Sequence, residues 1–188
     1  MVKLQNVTRA HLGLLLANLV WAVNYPFYKV LMPHYITPVA LATFAVTVAG
    51  LLGLVSLFWG GIEKIDRNDI YKFIGAALLM GIAKKLLLMI GMQHTSPIEA
   101  SIIATLGPIL VLVFSFFFGI DRLTPMKVFG MVLGMGGALL VILSGGGAVT
   151  SGEKLMGNLF VVGAIAASSF SMVWLKGLIM KYRPITVL

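Results

Sequence analysis

The sequence predicts an all-α membrane protein, a polytopic bundle of six transmembrane helices. Hydrophobic residues make up 60% of the 188-residue chain and charged residues only 11%, whereas a soluble domain carries about 25% charged residues. The apolar residues fall in six continuous runs, each close to the roughly 20 residues that a helix needs to cross a bilayer. A transmembrane barrel would instead show alternating segments of about 10 residues. We therefore expect helices inserted in a lipid bilayer.

The six predicted spans follow one another with short connections. They run from His11 to about Met32, from Pro38 to Trp59, from about Tyr71 to Met92, from Ala100 to Phe118, from Met126 to Ser144 and from Gly157 to about Met180. Helices joined by short connections pack as antiparallel neighbours, so we expect an up-and-down bundle. The basic residues before the first apolar run resemble the start of a signal peptide. The run is, however, long for the hydrophobic region of a signal peptide, and no convincing small-residue cleavage site follows it. We therefore predict that the first span is retained.

The positions of the basic residues predict how the bundle is oriented. They are frequent in the N-terminal lead and in the connections after the second, fourth and sixth spans: Lys3, Arg9, Lys64, Arg67, Lys72, Arg122, Lys127, Lys181 and Arg183. The opposite connections contain only Lys154, with Lys29 near the same face. By the positive-inside rule, both termini lie in the cytoplasm of a multi-pass protein of the inner cell membrane. The net charge of +8 therefore serves orientation, and nucleic acid is not an expected partner.

The polar residues of the spans form no recognisable catalytic or metal site. The chain has no cysteine, which removes thiolate ligands and nucleophiles. The histidines, His11, His34 and His94, lie near span ends and form no HExxH pair. All aspartates lie in connections, so an intramembrane aspartate dyad cannot form, and the serines of the spans have no nearby histidine base. We predict that the protein is not an enzyme and uses no metal or cofactor.

Two adjacent lysines, Lys84 and Lys85, lie inside the third predicted span. A lysine at the centre of a membrane helix costs about 2.5–3.5 kcal/mol, so the pair would cost roughly 5–7 kcal/mol if both stayed charged in lipid. On a helical period both straddle the stripe of Gly81 and Leu88, which should face protein or water. In one interpretation the lysines attract an anionic group in a hydrated cavity. In the other they are solvated helix residues that contact no substrate.

Glu99 stands at the mouth of the fourth predicted span, just after the polar corner that precedes it. Counted along the helices from Thr95, Lys85 lies about 15 Å deep and Glu99 about 6 Å deep. Lys85 would reach Glu99 only by extending along its helix, so Lys29 is an equally good partner. The sequence leaves two roles open for Glu99, a structural ion pair and a coupling or gating group.

A polar and aromatic stripe runs along the first predicted span. Its members are Asn18, Trp21, Tyr25 and Tyr28. Their spacings of three and four residues place them on one face of a helix. Such a stripe lines a cavity or packs against a neighbouring helix, and both interpretations remain open.

Proline and glycine residues predict local features of the spans. Pro108 in the fourth span removes a backbone donor and frees a carbonyl one turn earlier, and such carbonyls can bind ligands near the membrane midplane. Gly130 and Gly134, reinforced by Gly137, should let the fifth span pack closely on a neighbour.

Several short motifs occur one after another along the chain. Trp21, Asn24 and Lys29 form a Trp-x-x-Asn to Lys pattern in the first span. The corner Thr95-Ser96-Pro97-Ile98-Glu99-Ala100-Ser101 is similar to a Thr-Ser-x-x-Glu/Asp-Ala-Ser signature, and Pro108 follows it. Gly119-Ile120-Asp121-Arg122-Leu123-Thr124 is similar to a Gly-Glu-Arg-Leu-Thr exit from the fourth helix. Together these motifs resemble the EamA family of the drug/metabolite transporter superfamily.

The resemblance implies half of an inverted-repeat transporter fold. Family members generally have ten helices in two halves of inverted topology, with the substrate path between them. Residues 1–147 would form the first five-helix repeat and residues 157–188 the first helix of a second, apparently truncated repeat. The glycine-rich connection from Gly145 to Gly152 is a candidate hinge between the first five helices and the sixth.

The resemblance also implies a secondary-active transporter that works by alternating access. It suggests proton-linked export of small metabolites such as amino-acid-like compounds. The candidate residues of the substrate path combine these motifs with the polar residues of the spans, and Lys84 and Lys85 are a feature of this chain and not of the resemblance. They are Asn18, Trp21, Asn24, Tyr25, Lys84, Lys85, Glu99 and Pro108.

Three alternatives to a carrier remain at this point. A channel would lack counterflow. A membrane interaction module would transport nothing, and a truncated fragment would be inactive. If six helices were the whole molecule, a homodimer would be required to complete a path.

Overall fold

The computed structural model describes residues 2–32, 34–60, 63–144 and 152–187, and every regular element in these ranges is helical. In chain order the elements are α1 (Val2–Leu31), α2 (Pro38–Gly60), α3 (Arg67–Ala76), a π-helical segment (Ala77–Ala83), α4 (Lys84–His94), α5 (Pro97–Ala104), α6 (Gly107–Phe117), α7 (Pro125–Ser144), α8 (Gly152–Trp174), α9 (Lys176–Lys181) and α10 (Pro184–Val187). The predicted all-α fold is confirmed.

Five segments of the described part are long and apolar enough to cross a membrane. They are Thr8–Leu31, Pro38–Val55, Arg67–His94, Pro97–Phe117 and Gly152–Trp174. These correspond to the predicted spans one to four and six. The predicted fifth span coincides with α7, a helix of 20 residues, some of whose side chains lie outside the description. The chain is an all-α, multi-pass membrane protein.

The corner between α4 and α5 is built by three residues with distinct roles. Thr95 and Ser96 are extended, and Pro97 begins α5. The Ser96 hydroxyl accepts a hydrogen bond from the backbone N–H of Glu99 at 3.1 Å, which satisfies one of the free donors of the first turn. Proline suits the first helical position because its missing N–H is not needed there. The corner therefore fixes Glu99 in the first turn of α5.

Pro108 follows a break that divides the fourth span into α5 and α6. Thr105 and Leu106 form a short turn in which their N–H groups donate to carbonyls three residues earlier, at 3.0 Å. The carbonyl of Gly107 accepts a hydrogen bond from the Ser169 hydroxyl at 3.2 Å. The break lies beside Pro108, where the sequence predicts the loss of a backbone donor, and a side chain of α8 binds to it.

The most buried stretch of the bundle lies where α8 packs against α4, α5 and α6. The buried apolar cluster here contains Met32, Leu41, Ala42, Leu88, Met89, Met92, Ala100, Ile103, Val161, Ala164 and Ile165. These residues come from α2, α4, α5, α8 and the end of α1. The hinge predicted between α7 and α8 lies outside the described residues, except for Gly152.

Two glycines let α4 and α8 approach each other closely. A Cβ atom added at Gly157 would lie 2.7 Å from the Cβ atom of His94, and one at Gly91 would lie 2.8 Å from the carbonyl oxygen of Gly157. Small residues are the usual means by which membrane helices come into close contact. The glycine face predicted on α7 is used in part. Gly134 lies close to a side chain of α6, whereas a Cβ atom at Gly130 would meet open space.

Replacing Gly157 with alanine should lower the free energy of unfolding by about 1–3 kcal/mol, because the added Cβ must displace the backbone of His94. The same change at Gly50 meets open space. It should stabilise α2 by up to about 1 kcal/mol, since alanine has the higher helix propensity. Thermal unfolding in detergent micelles shows whether each variant is less or more stable than the wild type. A stabilised Gly157→Ala variant would contradict the close approach of α4 and α8.

Candidate functional site

Lys84 and Lys85 point toward α1, where each ammonium group lies near the face of an aromatic ring. Nζ of Lys84 is 5.5 Å from the centroid of the Trp21 ring, and Nζ of Lys85 is 5.9 Å from that of Tyr28. Both distances fall within the range of cation–π contacts. Both lysines are half-buried, and Trp21 is 61% exposed. We call these four residues the lysine–aromatic groove, which is open on the side of Trp21.

The π-helical segment, Ala77–Ala83, ends immediately before Lys84. Its hydrogen bonds join residues five apart, so the directions of the side chains that follow depart from a uniform period of 3.6. Such segments are frequent at functional sites. The irregular turn thus lies next to the two adjacent lysines in the middle of this span.

The ring contacts offset only part of the energetic cost of placing two charges in the membrane. Each lysine costs about 2.5–3.5 kcal/mol at the centre of a span, and each cation–π contact contributes about 0.5–2 kcal/mol. The groove therefore holds Lys84 and Lys85 at a net cost in stability. This balance favours a role in binding over a role in holding the fold together.

The other predicted residues of α1 fall into two groups. Tyr25 is half-buried and packs against the central apolar cluster, and Asn24 beside it is also half-buried. Asn18 is exposed, and its side-chain amide donates to the carbonyl of Leu14 at 2.8 Å. The stripe thus contributes Trp21 and Tyr28 to the groove, while Asn18 bonds to its own helix.

Glu99 lies in a buried polar cluster where the α4–α5 corner meets the start of α8. Its Oε1 pairs with Nζ of Lys154 at 2.6 Å, and its Oε2 accepts from Nδ2 of Asn158 at 3.0 Å. The Thr95 hydroxyl lies 3.3 Å from Oε2 and also contacts the amide oxygen of Asn158. Glu99 and Asn158 are 5% and 6% exposed. We call these four residues the corner cluster.

The partner of Glu99 is one that the sequence did not identify. Lys29, expected as an equally good partner, instead donates to three backbone carbonyls at the end of α4 and the corner, at 3.0–3.2 Å. Such contacts satisfy carbonyls that a helix end leaves free. The ion pair is made by Lys154. The available signal was the four-residue spacing of Lys154 and Asn158, which places both on one face at the start of the sixth span.

A second polar cluster lies at the other end of the bundle, where the start of α3 meets the end of α9. Lys181 pairs with Asp66 and, at 2.7 Å, with Asp69. The hydroxyl of Tyr182 donates to Asp69 at 2.9 Å and accepts from the backbone N–H of Asp66 at 3.1 Å. The hydrogen bonds to Asp66 and Asp69 hold the pKa of Lys181 above its usual range. We call these four residues the α3–α9 cluster.

A cavity of about 170 Å³ lies between α2 and the segment that carries the lysines. It is lined by Ala42, Thr43, Val46, Thr47, Ile82 and Leu86. Neither Lys84 nor Lys85 lines it, and the Thr43 hydroxyl donates to a carbonyl of its own helix at 2.8 Å. The cavity is therefore largely apolar, and the charged groups lie in the groove instead.

The chemistry that these side chains offer is recognition by charge, hydrogen bonds and aromatic faces. In the described ranges, no three histidine, aspartate or glutamate side chains come together as a metal site. Pro108, predicted to line a path, is exposed at the start of α6. In the described ranges, the groove and the corner cluster are the places where predicted charged residues of the path meet side chains of other helices.

The amino-acid sequence of the chain is similar to those of known proteins. The sequence profile of the EamA-like transporter family matches residues 8–143. An uncharacterized transporter of Archaeoglobus fulgidus is 25% identical over 154 residues, which are 82% of this chain and 53% of that protein. Uncharacterized transporter YvbV of Bacillus subtilis is 27% identical over 177 residues, 93% of this chain and 54% of that protein. The chain spans about half the length of these relatives, and no solved structure matches it significantly.

Proposed function

Because the chain belongs to the EamA-like transporter family, we propose that it works in a secondary-active transporter that carries small metabolites across a membrane by alternating access. The observation that carries this proposal is the lysine–aromatic groove. Lys84 and Lys85 stand about 15 Å from the end of α4, counted at 1.5 Å per residue. Charged residues at this depth mark substrate or ion pathways more often than they serve structure.

The two polar clusters fit the gates that alternating access requires. The corner cluster joins α5 to α8 at one end of the bundle, through Glu99 and Lys154. The α3–α9 cluster lies at the opposite end, where it joins the start of the Arg67–His94 span to the helix that follows α8, through Asp69 and Lys181. A carrier must close one end while the other opens, and ion pairs are suitable for repeated breaking and re-forming. We propose that these pairs close the two ends in turn.

A second half would complete the path. Both relatives are about twice as long as the matched region, and we propose that residues 1–147 are a first repeat and that α8 opens a second. The corner cluster would then be a contact between repeats, since Glu99 belongs to the first and Lys154 to the second. Such an interface is the natural place for a gate. A homodimer is the other arrangement that could supply the missing helices.

The proposed orientation, direction of transport and coupling are based on the distribution of basic residues and on membership of the family. The excess of basic residues on one side supports cytoplasmic termini in an inner membrane. We propose that the protein exports small metabolites, a class that includes amino-acid-like compounds, and that protons drive the export. Glu99 is the candidate for coupling because it is the buried carboxylate of the corner cluster.

Counterflow in liposomes tests whether the protein is a carrier. The protein, expressed from its complete reading frame, is reconstituted with labelled amino acids, organic acids or inorganic phosphate outside. A carrier gives saturable uptake that the same unlabelled solute inside accelerates. Uptake without acceleration would indicate a channel. No uptake of any tested solute class would favour a membrane interaction module or an inactive fragment.

Cysteine labelling tests alternating access, because these 188 residues contain no cysteine of their own that could react. Asn24→Cys, beside the groove, should react with a membrane-impermeant thiol reagent from either side, in a ratio that the transported solute changes. Leu52→Cys on the exposed apolar face of α2 should not react, because it faces lipid. Reaction of Asn24→Cys from one side only, whatever the solute, would contradict alternating access.

A further inference from the structure

We propose that the lysine–aromatic groove binds a small organic solute that carries two negative charges, such as a dicarboxylate or a phosphate ester. The proposal rests on the proposed function for the idea that the bound solute is carried. The binding itself requires only the residues of the groove. It narrows the substrate class from small metabolites in general to dianions.

The charges of the chain leave Lys84 and Lys85 without a carboxylate. The chain has six acidic side chains, and all of them lie in the described ranges. Four of them pair with other lysines: Asp66 and Asp69 with Lys181, Glu99 with Lys154, and Asp121 with Lys127. Glu63 accepts from Thr186 at the α10 end, and Glu153 is exposed in the first turn of α8, next to Lys154. No acidic side chain of these 188 residues is therefore left for the groove.

The ammonium groups also have free hydrogen-bonding capacity. Within the described ranges, neither Lys84 nor Lys85 has a hydrogen-bonding partner or an ion pair, and their neighbours are the Trp21 and Tyr28 rings. Each ammonium has three N–H donors, and a ring face takes up a cation without accepting a conventional hydrogen bond. The rings therefore hold the two charges in place while the donors remain available to carboxylate or phosphate oxygens.

The charge count points to a dianion rather than to a single carboxylate. Lys84 and Lys85 are adjacent in sequence, so their charges repel each other, and one negative charge would leave a net positive charge in the membrane. Two negative charges neutralise the pair. Phosphate esters and dicarboxylates supply this charge together with several acceptor oxygens.

An anionic lipid headgroup offers the same chemistry but at a different depth. Lys84 lies 10 residues before the end of α4 at His94, about 15 Å along the helix. The π segment and α3 extend the span in the other direction to Arg67. The groove thus lies well below either lipid headgroup layer. A dissolved solute that enters a hydrated path reaches this depth more readily than a headgroup does.

Equilibrium dialysis of the purified protein in uncharged detergent tests the proposal, with labelled inorganic phosphate and labelled succinate as probes. Both should bind saturably and compete with each other, whereas glycine and chloride should not compete. Each of Lys84→Met and Lys85→Met should weaken binding by roughly ten- to a hundredfold, the range expected for losing one charge-assisted hydrogen bond. Lys64→Met, at an exposed connecting residue, is the matched control and should bind like the wild type.

Two further measurements keep the test decisive. The double variant Lys84→Arg with Lys85→Arg retains both charges and should retain binding, which separates loss of charge from loss of fold. Wild type in phosphatidylcholine vesicles should bind phosphate equally well with or without added phosphatidic acid. Displacement of phosphate by that lipid would assign the groove to headgroups and overturn the proposal. If neither phosphate nor succinate bound, the proposal would also be overturned. Unchanged binding in both Met variants would overturn it as well.

The proposal and the proposed function fail in different ways. Dianion binding that depends on Lys84 and Lys85, without counterflow of any solute, would support the groove and contradict the carrier. Counterflow of an uncharged or cationic solute that is unchanged in the Met variants would support the carrier and overturn the dianion site.

Discussion

Replacing Glu99 with alanine should lower the free energy of unfolding by roughly 2–3 kcal/mol. Removing one member of a buried ion pair costs about 3–5 kcal/mol, because the other member keeps its charge without a partner. The side chain of Lys154 is 27% exposed, so water can solvate it in part. We therefore expect a loss of stability at or below the lower end of that range. Asn158 and Thr95 each lose a hydrogen-bonding contact as well. Thermal or denaturant unfolding in detergent micelles measures the change.

A double-mutant cycle shows whether Lys154 causes the loss. Glu99→Ala, Lys154→Met and the double variant should be strongly non-additive, since removing both charges leaves neither one unpaired. Glu153→Ala removes a carboxylate from an exposed position one residue away from Lys154, and should change stability by less than about 0.5 kcal/mol. Additive effects of Glu99 and Lys154 would show that the ion pair contributes nothing to the fold.

The corner between α4 and α5 shows how far sequence reasoning extends. Thr95, Ser96 and Pro97 are local signals, and the chain turns where they predict. The ion-pair interpretation of Glu99 agrees with the structure, but its partner lies 55 residues later in another span. Only the tertiary arrangement brings Lys154 to this corner, through the close approach of α4 and α8 at Gly91 and Gly157. Spacing within one helix carries no information about that approach.

The lysine–aromatic groove was predicted in its parts but not as a unit. Hydropathy identified Lys84 and Lys85, and helical spacing identified Trp21 and Tyr28. Their combination depends on how α1 lies against α4 and on the π-helical turn before Lys84. A run of apolar residues such as Ala77–Ala83 gives no sign of a change from α-helix to π-helix. The pairing of charge with ring therefore appears only in three dimensions.

Replacing both Lys84 and Lys85 with methionine should raise the free energy of unfolding by roughly 1–6 kcal/mol. The two charges cost about 5–7 kcal/mol at the centre of a span, and their ring contacts return only about 1–4 kcal/mol. Methionine has no charge and fills irregular apolar space well. Each single variant should give about half of the effect. Thermal unfolding in detergent micelles, without added anions, is the appropriate measurement.

The same double variant should lose solute transport while it gains stability. Groups that bind a ligand are often destabilising in its absence, because they are placed for the ligand rather than for the fold. Added succinate or phosphate should stabilise the wild type by mass action but leave the double variant unchanged. Lys64→Met, which changes an exposed residue, should alter neither stability nor transport. A double variant less stable than the wild type would mean that the ring contacts of Lys84 and Lys85 hold α1 against α4, and the charges would then be structural.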